Sequence, residues 1–453
     1  MKIIKEILFD AAFIKKMLSV AVPISAQFFV TSVLNMIDVI MIGQSGEVPV
    51  TSVGIANQVY FVFSVFIFGI SAGTAIFSAQ YWGKKDYRNI QVTMGSGISM
   101  NAIIALLFTS AALFLPAVLM SLYTKDTAVI QLGSQYLRIV AVSCIFTAVT
   151  ASFSAVLRST EKLILPTTAS IIAIALNTCL NYLLIFGKFG FPEMGVRGAA
   201  YATLIARIIE CMIIMVFIYI KKYDYVHPKR DMFRFTFVFV KRYLHVVLPS
   251  LMTEAAWAVC VTIYMSIYAR ISTDAAAAVN IAATIEMFAF VFFIGIGHGS
   301  GILIGNSIGS GDRAMIKKLT GSSMFIVIFF SVIVSALIMS ASYSVTGFYK
   351  IKPETAVYLK NILIVLGLFF SVKTSNMLFV DGILRSGGDT GFTFFLNFIP
   401  MYLIGIPAGL IGAFVLNLPV YYVYALVCVE EIVRFAAGYL RIRSGRWINN
   451  LSV

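Results

Sequence analysis

Residues 73–86 read GTAIFSAQYWGKKD, and residues 299–312 read GSGILIGNSIGSGD, so a pattern of glycines with a final aspartate returns 226 positions later. The same offset relates Pro23 to Pro249, although only 11 of the 453 residues are proline. Further pairs in this register are Gly69 with Gly295, Gly73 with Gly299, Gln80 with Asn306 and Asp86 with Asp312. A fixed offset of this kind indicates an internal repeat. The two halves of the chain are therefore predicted to be structural copies.

The composition is that of a membrane protein. Hydrophobic residues make up 60% of the chain, charged residues only 12%, and the mean hydropathy is +0.94. A soluble domain carries about a quarter charged residues, so this chain has too few to cover a water-facing surface. The five cysteines are odd in number and lie in apolar stretches, which gives no disulfide pattern. The three histidines are too scattered to predict a metal site.

Long uncharged runs predict twelve membrane-spanning helices, because about 20 helical residues cross the hydrocarbon core of a bilayer. The predicted ranges are 17–42, 50–79, 92–123, 131–157, 163–187, 198–220, 243–269, 275–306, 319–348, 355–383, 390–415 and 419–440. The alternating ten-residue segments of an outer-membrane barrel are absent from the sequence. No cleavable signal is expected, because the first apolar stretch is too long. The predicted fold class is an all-α integral membrane protein.

The repeat divides these helices into two six-helix lobes. Residues 1–220 are the predicted N-terminal lobe, 221–242 a cytoplasmic linker and 243–453 the C-terminal lobe. Six is an even number, so both lobes enter the membrane in the same sense, and a pseudo-two-fold axis along the membrane normal is expected to relate them. The linker is the one long, charge-dense interruption, and its alternating phenylalanines favour a segment lying at the membrane interface.

Basic residues predict the orientation, since cytoplasmic loops hold an excess of lysine and arginine. The amino terminus, the even-numbered loops and the carboxyl terminus hold 23 of them. The opposite loops hold six, which are Lys125, Lys188, Arg197, Arg270, Lys350 and Lys352. Both termini are therefore predicted to be cytoplasmic. The net charge of +14 is then mostly a topology signal and not a sign of nucleic acid as a partner.

Two similar lobes that rock around a central cavity are the architecture of a secondary transporter. The sequence has no GxxxxGK[ST] phosphate loop and no soluble region that could hold a nucleotide. Twelve helices in one pair of lobes offer no obvious ring of pore-lining residues, which disfavours a channel. Membrane enzymes of acyl or phosphoryl transfer usually show clustered His, Asp or Ser motifs, and none is found here. We therefore predict a transporter without a cofactor, and not an enzyme.

Five carboxylates lie inside the predicted helices: Asp38, Glu210, Glu254, Glu286 and Asp381. An ionised side chain inside a membrane costs several kcal/mol unless it is paired, hydrated or neutralised, so such residues are functional candidates by default. Each can carry a proton, or bind a cation when supporting oxygens are close. Glu210 lies one turn after Arg207, so an ion pair within one helix is the expected explanation for it.

The repeated segments resemble the paired motifs of one family, the MATE multidrug and toxin extrusion transporters. Besides 73–86 and its copy, AVLRSTEKLILP (155–166) and GILRSGGDTGFTF (382–394) form such a pair. The segments NMIDVIMIG (35–43), LNTCLNYLLIFGKFGFPEMG (176–195) and PMYLIGIPAGL (400–410) are similar to the NorM-like bacterial branch. The resemblance covers nearly the whole chain. It implies an inner-membrane, multi-pass, monomeric antiporter that exports organic, often cationic or aromatic compounds in exchange for Na⁺ or H⁺.

The resemblance also assigns candidate site residues in the first half. Asp38 matches the acidic residue that MATE transporters carry on their first helix, and its repeat mate is Tyr264. Asn177 and Asn181, one turn apart, match the paired asparagines of the NorM-like branch, and their amide oxygens can complete a Na⁺ site with Asp38. No other metal is expected. Polar bridging between helices is the alternative role for these three residues. Pro23 is expected to bend its helix when the acid changes state.

Candidates in the second half are less specific. Glu254 matches the family's acidic position in the second lobe, five residues after Pro249, which we expect to take part in the conformational change. Asp381 is a weaker cation-coupling candidate, because NorM-like members place the second acid earlier on that helix, where this chain has Ser375 and Asn376. Glu286 is a weaker candidate because it matches no acidic position of the family. A lipid-linked oligosaccharide flippase of the same superfamily is the alternative function. Such a flippase would need a strongly cationic cavity, whereas the intramembrane charges here are balanced.

Overall fold

A computed structural model of the chain describes residues 11–223, 225–226, 230–345, 347 and 351–452, and it is built of helices without strands in these ranges. The twelve long helices are α1 (Ala11–Gly43), α2 (Glu47–Lys84), α3 (Tyr87–Phe114), α4 (Thr127–Ser159), α5 (Ile164–Phe186), α6 (Val196–Lys221), α7 (Phe237–Ile271), α8 (Thr273–Ser310), α9 (Arg313–Val345), α10 (Pro353–Leu384), α11 (Thr390–Val415) and α12 (Val420–Ser444). The predicted twelve helices are confirmed. Eleven of them, all except α12, are long and apolar enough to cross a membrane.

Local chemistry explains the departures from the predicted ranges. The third predicted helix is divided, because Pro116 lacks a backbone N–H and begins a separate short helix, Pro116–Ser121. The seventh helix begins at Phe237, six residues earlier than predicted, so part of the expected interfacial segment is helical. The last turns of α10, Leu378–Leu384, are π-helical, as are Met401–Gly405 and Ile411–Val415 within α11.

The linker packs onto the helices through an apolar side chain. A 3₁₀-helical turn, Arg230–Phe233, contains Met232, which is 2% exposed. A Cβ on Gly95 in α3 would lie 2.7 Å from the carbonyl carbon of Met232, so glycine at this position lets the linker approach the helix backbone. Positions 224 and 227–229 of the linker lie outside the described residues.

Packing divides the chain into two compact units. The first unit is Ala26–Leu251, and the second combines Met252–Val453 with the described part of Met1–Ser25. The chain therefore changes unit inside α1 and again inside α7. Each change falls two residues after a proline within the helix, Pro23 in α1 and Pro249 in α7. The predicted lobes and linker follow chain order instead and stay a prediction.

The repeated glycines explain why parts of α1 and α7 pack in the other unit. In the first unit, a Cβ on Gly69 of α2 would lie 2.7 Å from the Cα atom of Leu251 in α7. In the second unit, a Cβ on Gly295 of α8 would meet the carbonyl oxygen of Ala21 and the hydroxyl of Ser25, both in α1. Gly73 and Gly299 make the same two contacts one turn later, against Val247 and Ala21. Only glycine allows backbones to approach so closely, which accounts for the shared register of glycine and proline in the repeat.

Candidate functional site

The first unit contains a polar cluster around Asp38, on the second half of α1. Thr178 of α5 donates its hydroxyl to Asp38 Oδ1 at 3.2 Å. The Asn177 carboxamide is oriented by its hydrogen bonds. Its nitrogen donates to Asp38 Oδ2 at 2.8 Å, and its oxygen accepts a hydrogen bond from the backbone N–H of Thr203, on α6, at 3.1 Å. Helix α5 thus contacts the Asp38 carboxylate directly, and α6 is linked to it through Asn177. The structure brings together Asp38 and Asn177, as the sequence analysis expected.

Asn181 completes this cluster one turn further along α5. Its Nδ2 atom lies 3.4 Å from the Asn177 carboxamide, and the residue is only 3% exposed. Its carboxamide oxygen Oδ1 has no hydrogen-bond partner among the residues that the structure describes. A buried acceptor without a donor costs about 1–3 kcal/mol. A cation next to Asp38 would supply the missing partner, so the donor set suits a hard cation such as Na⁺, which prefers oxygen ligands.

The neighbourhood of this cluster is polar but carries its other charges in pairs. Tyr136 of α4 donates its hydroxyl to Asn57 Oδ1, on α2, at 3.3 Å. Glu210 accepts a hydrogen bond from Arg207 at 2.7 Å, which confirms the ion pair expected within that helix. Asp38 is in none of the ion pairs found in the described part of the chain. It is therefore the intramembrane carboxylate of this unit that a bound cation can neutralise.

Two predicted residues of the second unit meet at one arginine. Arg385, whose side chain is 5% exposed, donates to Glu254 Oε1 at 2.7 Å and lies 3.2 Å from Asp381 Oδ1. Asp381 lies in the π-helical turn at the end of α10. The arginine thus links α7 to the end of α10 through Glu254, and Asp381 is its local partner one turn earlier. This ion-paired arrangement gives Glu254 and Asp381 a clear structural role.

In the first unit, the related arginine has an uncharged partner. Arg158, which an offset of 227 relates to Arg385, donates to Gln27 Oε1 at 3.0 Å. In the register of the prolines, an offset of 226, Glu254 corresponds to Phe28, so the two partners of these arginines lie one position apart on their helices. An arginine that links the proline-containing helix to the fourth helix of its half is therefore part of the repeated scaffold. The carboxylate at Glu254 is the feature that distinguishes the second copy.

The remaining candidate, Glu286 on α8, is paired with Lys373 on α10. Lys373 Nζ also lies 3.5 Å from the hydroxyl of Tyr424 on α12 and 5.7 Å from the centroid of its ring. The lysine is held between a carboxylate and an aromatic ring, which is a stable environment for an ammonium inside a membrane. Glu286 therefore has a charge partner that the sequence analysis did not predict.

The sequence analysis missed the acidic pair Glu430 and Glu431 on α12. Glu431 Oε2 accepts from Asn376 at 2.7 Å and lies 3.2 Å from Arg434 Nη1. Arg434 also donates to Asn397 on α11. The absence of an acid at Ser375 and Asn376 on α10 is thus offset by a carboxylate from α12. Two adjacent acids in the middle of the range 419–440, predicted to span the membrane, were the available signal.

Comparison with known proteins was made at the level of family, sequence and fold. The MatE family model matches residues 23–183 and again 249–411, so each match starts at one of the repeated prolines. The transporter YisQ of Bacillus subtilis, which is uncharacterized, is 24% identical over 98% of this chain and 99% of its own. A probable multidrug resistance protein NorM of Thermotoga maritima is 24% identical over 96% of this chain and 93% of its own.

Solved structures show the same fold. An outward-facing multidrug resistance MATE family transporter of the MOP superfamily superposes with a TM-score of 0.87, at 19% identity over 96% of both chains. A mutant of the Vibrio cholerae MATE transporter VcmN gives a TM-score of 0.87, at 17% identity over 96% of this chain and 98% of its own. These similarities support the fold of twelve helices in two lobes.

Proposed function

The chain belongs to the MatE family of transporters, and on that premise we propose that it is a secondary active efflux antiporter. It exports organic, often cationic or aromatic compounds and takes up Na⁺ or H⁺ in exchange. The observation that carries this proposal is the cluster of Asp38 with Asn177, Thr178 and Asn181 in a multi-pass chain that the family model matches over both halves. The multidrug resistance proteins named NorM among its relatives support the class of substrate.

Na⁺ is the coupling ion that we propose at Asp38. The carboxylate oxygens, the Thr178 hydroxyl and the unpartnered Asn181 Oδ1 are all oxygen ligands. One charge that moves across about 100 mV supplies about 2.3 kcal/mol. Because a tenfold concentration ratio costs about 1.4 kcal/mol, one coupled charge sustains a substrate gradient of roughly forty-fold from voltage alone.

Coupling requires that the ion and the substrate favour different states of the transporter. A ligand shifts such an equilibrium only through its differential affinity for the two states. Pro23 and Pro249 are the conformational positions in this proposal, because each interrupts the backbone hydrogen bonding of a helix at the point where the chain passes between packing units. Solved MATE structures described as bent and straight conformations support two states for this fold.

The location follows from the same premise. We propose the cytoplasmic membrane, with both termini cytoplasmic, because of the distribution of basic residues, and a monomer as the transporting unit. The oligosaccharide flippase is not favoured. The relatives named for a function are multidrug resistance proteins, and the buried arginines Arg385 and Arg434 are neutralised by carboxylates instead of being free to bind a pyrophosphate.

Ethidium efflux from proteoliposomes tests this proposal. Efflux by the wild-type protein is measured under a sodium gradient alone and then under a proton gradient alone. We expect the sodium gradient to drive efflux, and Asp38→Asn to abolish uphill efflux while ethidium still binds the purified protein. The matched control is Asp126→Asn, since Asp126 caps α4 at the end of a loop and asparagine is an equally good cap.

One result would contradict the role of Asp38, and another would contradict Na⁺ as the coupling ion. Uphill efflux by Asp38→Asn would move the coupling role elsewhere, with Glu254 as the next candidate. Loss of efflux in Asp126→Asn as well would show that the assay reports on general damage. Efflux driven by the proton gradient alone would keep the antiporter and replace Na⁺ by H⁺ as its coupling ion.

A further inference from the structure

Glu430 is a buried carboxylate to which neither the sequence analysis nor the proposed function assigns a role. The residue lies near the middle of α12 and is 3% exposed. Its Oε2 atom has no hydrogen-bond partner among the described residues. A Cβ on Gly405 of α11 would lie 3.0 Å from this oxygen and would also meet the hydroxyl of Tyr264 on α7. Glycine at position 405 therefore makes room for a carboxylate beside a phenol.

The charges around Glu430 leave it without a partner. Lys373 is paired with Glu286, Arg434 with Glu431, and Arg385 with Glu254 and Asp381. Glu430 takes part in no ion pair within the part of the chain that the structure describes. An ionised carboxylate buried in this state would cost several kcal/mol. Binding of a cation or a proton removes this cost.

The internal repeat gives this site its counterpart in the first unit. The offset of 226 relates Tyr264 to Asp38, and the offset of 227 relates Glu430 to Thr203. Thr203 contacts Asn177, which donates to Asp38. In the first unit the carboxylate thus lies on the first helix of the repeat and a hydroxyl residue on the sixth. In the second unit the hydroxyl residue is on the first helix, and the carboxylate is on the sixth.

The surroundings of Glu430 suit a proton better than a metal cation. Charged and titratable groups near it are Glu431, Arg434 and Cys428 on α12, Tyr264, Tyr268 and Cys260 on α7, and Lys373 on α10. Two of these, Arg434 and Lys373, are cations in ion pairs, and their charge opposes the binding of a third cation. Glu431 is already bound by Asn376 and Arg434, so the described oxygens that remain beside Glu430 are the Tyr264 hydroxyl and the Met401 carbonyl, 3.4 Å apart. Hard cations bind more oxygens than this, whereas a proton needs one.

We infer that Glu430 is a proton-binding site of the second unit, next to Tyr264, the residue that the repeat relates to Asp38 of the first. The Tyr264 hydroxyl donates to the Met401 carbonyl at 3.4 Å, and in this proposal it keeps that bond while the carboxyl group is protonated. When it is ionised, the same hydroxyl is free to turn and donate to Glu430. The proton moves between bulk water and Glu430, and no other bond forms or breaks. This inference goes beyond the proposed function, because it concerns a second ionisable group, in the other packing unit.

Infrared difference spectroscopy of the purified full-length protein tests the inference. The spectrum is recorded through an alkaline titration, and the measured band is the carbonyl stretch of a protonated carboxylic acid. We expect the wild-type protein to lose one such band, Glu430→Gln to lack it, and Glu431→Gln to retain it. Asp38→Asn should also retain it, so failure of the Asp38 proposal and failure of this one are distinguishable. An unchanged band in Glu430→Gln would overturn the inference.

Thermal unfolding, followed by the fluorescence of the three tryptophans, separates this role from a structural one. Glutamine resembles the protonated acid, so Glu430→Gln should melt like the wild-type protein at acidic pH. At alkaline pH, ionisation of Glu430 should lower the melting temperature of the wild-type protein. The variant should not show this decrease. The matched variant Glu431→Gln leaves Arg434 without its carboxylate and should melt lower at every pH. If Glu430→Gln behaves in that second way, Glu430 is an ionised structural partner and the inference is wrong.

Discussion

Replacing Arg385 by glutamine should destabilise the second unit more than any other single change at the candidate sites. The guanidinium is the shared partner of Glu254, at 2.7 Å, and Asp381, at 3.2 Å. Its removal leaves two carboxylates close together in an environment where the arginine side chain is 5% exposed. Breaking a buried pair by removing one partner costs about 3–5 kcal/mol. For a unit of roughly 200 residues this corresponds to a melting temperature lower by about 6–20 °C.

The repeat supplies a matched control for this experiment. Arg158→Gln removes the related guanidinium in the first unit, where the partner is the neutral Gln27. Loss of one hydrogen bond to a neutral group costs about 1 kcal/mol, so this variant should melt only a few degrees lower than the wild-type protein. Both variants are purified and compared by thermal unfolding in the same detergent.

A double variant tests the electrostatic cause directly. Glu254→Gln in the Arg385→Gln background removes one of the two uncompensated carboxylates and should recover at least half of the lost stability. Neighbouring groups that share a partner are expected to be non-additive in this way. Equal losses in Arg385→Gln and Arg158→Gln, or no recovery in the double variant, would refute the reasoning. Loss of packing around the arginine stem would then be the cause.

Three further predictions concern packing, conformational change and topology. Gly295→Leu should prevent accumulation of folded protein in the membrane, because the leucine side chain would overlap α1. Gly321→Leu is the control and should accumulate normally, because nothing lies within 4 Å of the Cβ position at residue 321. Fluorescence size-exclusion chromatography measures both variants. Pro23→Ala should slow ethidium efflux while the protein remains folded and inserted, and a normal rate would exclude bending at this proline from the cycle. A single cysteine at Glu193 should react with an impermeant thiol reagent in whole cells, and one at Lys85 should not, because the basic residues place Lys85 on the cytoplasmic side. The opposite pattern of labelling would show that the orientation is reversed.

The helices could be predicted from the sequence because each depends on a local property. A run of apolar residues about 20 long specifies a span wherever it occurs, and the repeat specified which spans correspond. The division of the third helix also has a local cause, Pro116, which the prediction did not use. The π-helical turns in α10 and α11 have no comparable signal in the sequence.

Contacts between helices could not be predicted in this way. Glu254 and Arg385 are 131 residues apart, and Asn376 and Glu431 are 55 residues apart, so neither pair follows from periodicity. The cluster around Asp38 was expected because the resemblance to a family supplied the pairing of α1 with α5. No such guide existed for α12, where the adjacent acids Glu430 and Glu431 looked like one more charged stretch near the end of the chain.

The two copies of the repeat retain packing positions and differ at charged ones. The prolines of α1 and α7 are present in both copies, and so are the glycines that receive these helices and the arginine on the fourth helix. The mates that differ are Asp38 with Tyr264 and Thr203 with Glu430. The partner of the related arginine also differs, being Gln27 in one copy and Glu254 in the other. Packing positions are constrained by close contact between backbones, which each half must make in the same geometry. Ionisable groups are free to differ, provided that each buried charge has a partner or a ligand. A cation at Asp38 and a proton at Glu430 would meet this condition, so the same scaffold can bind different ions in its two copies.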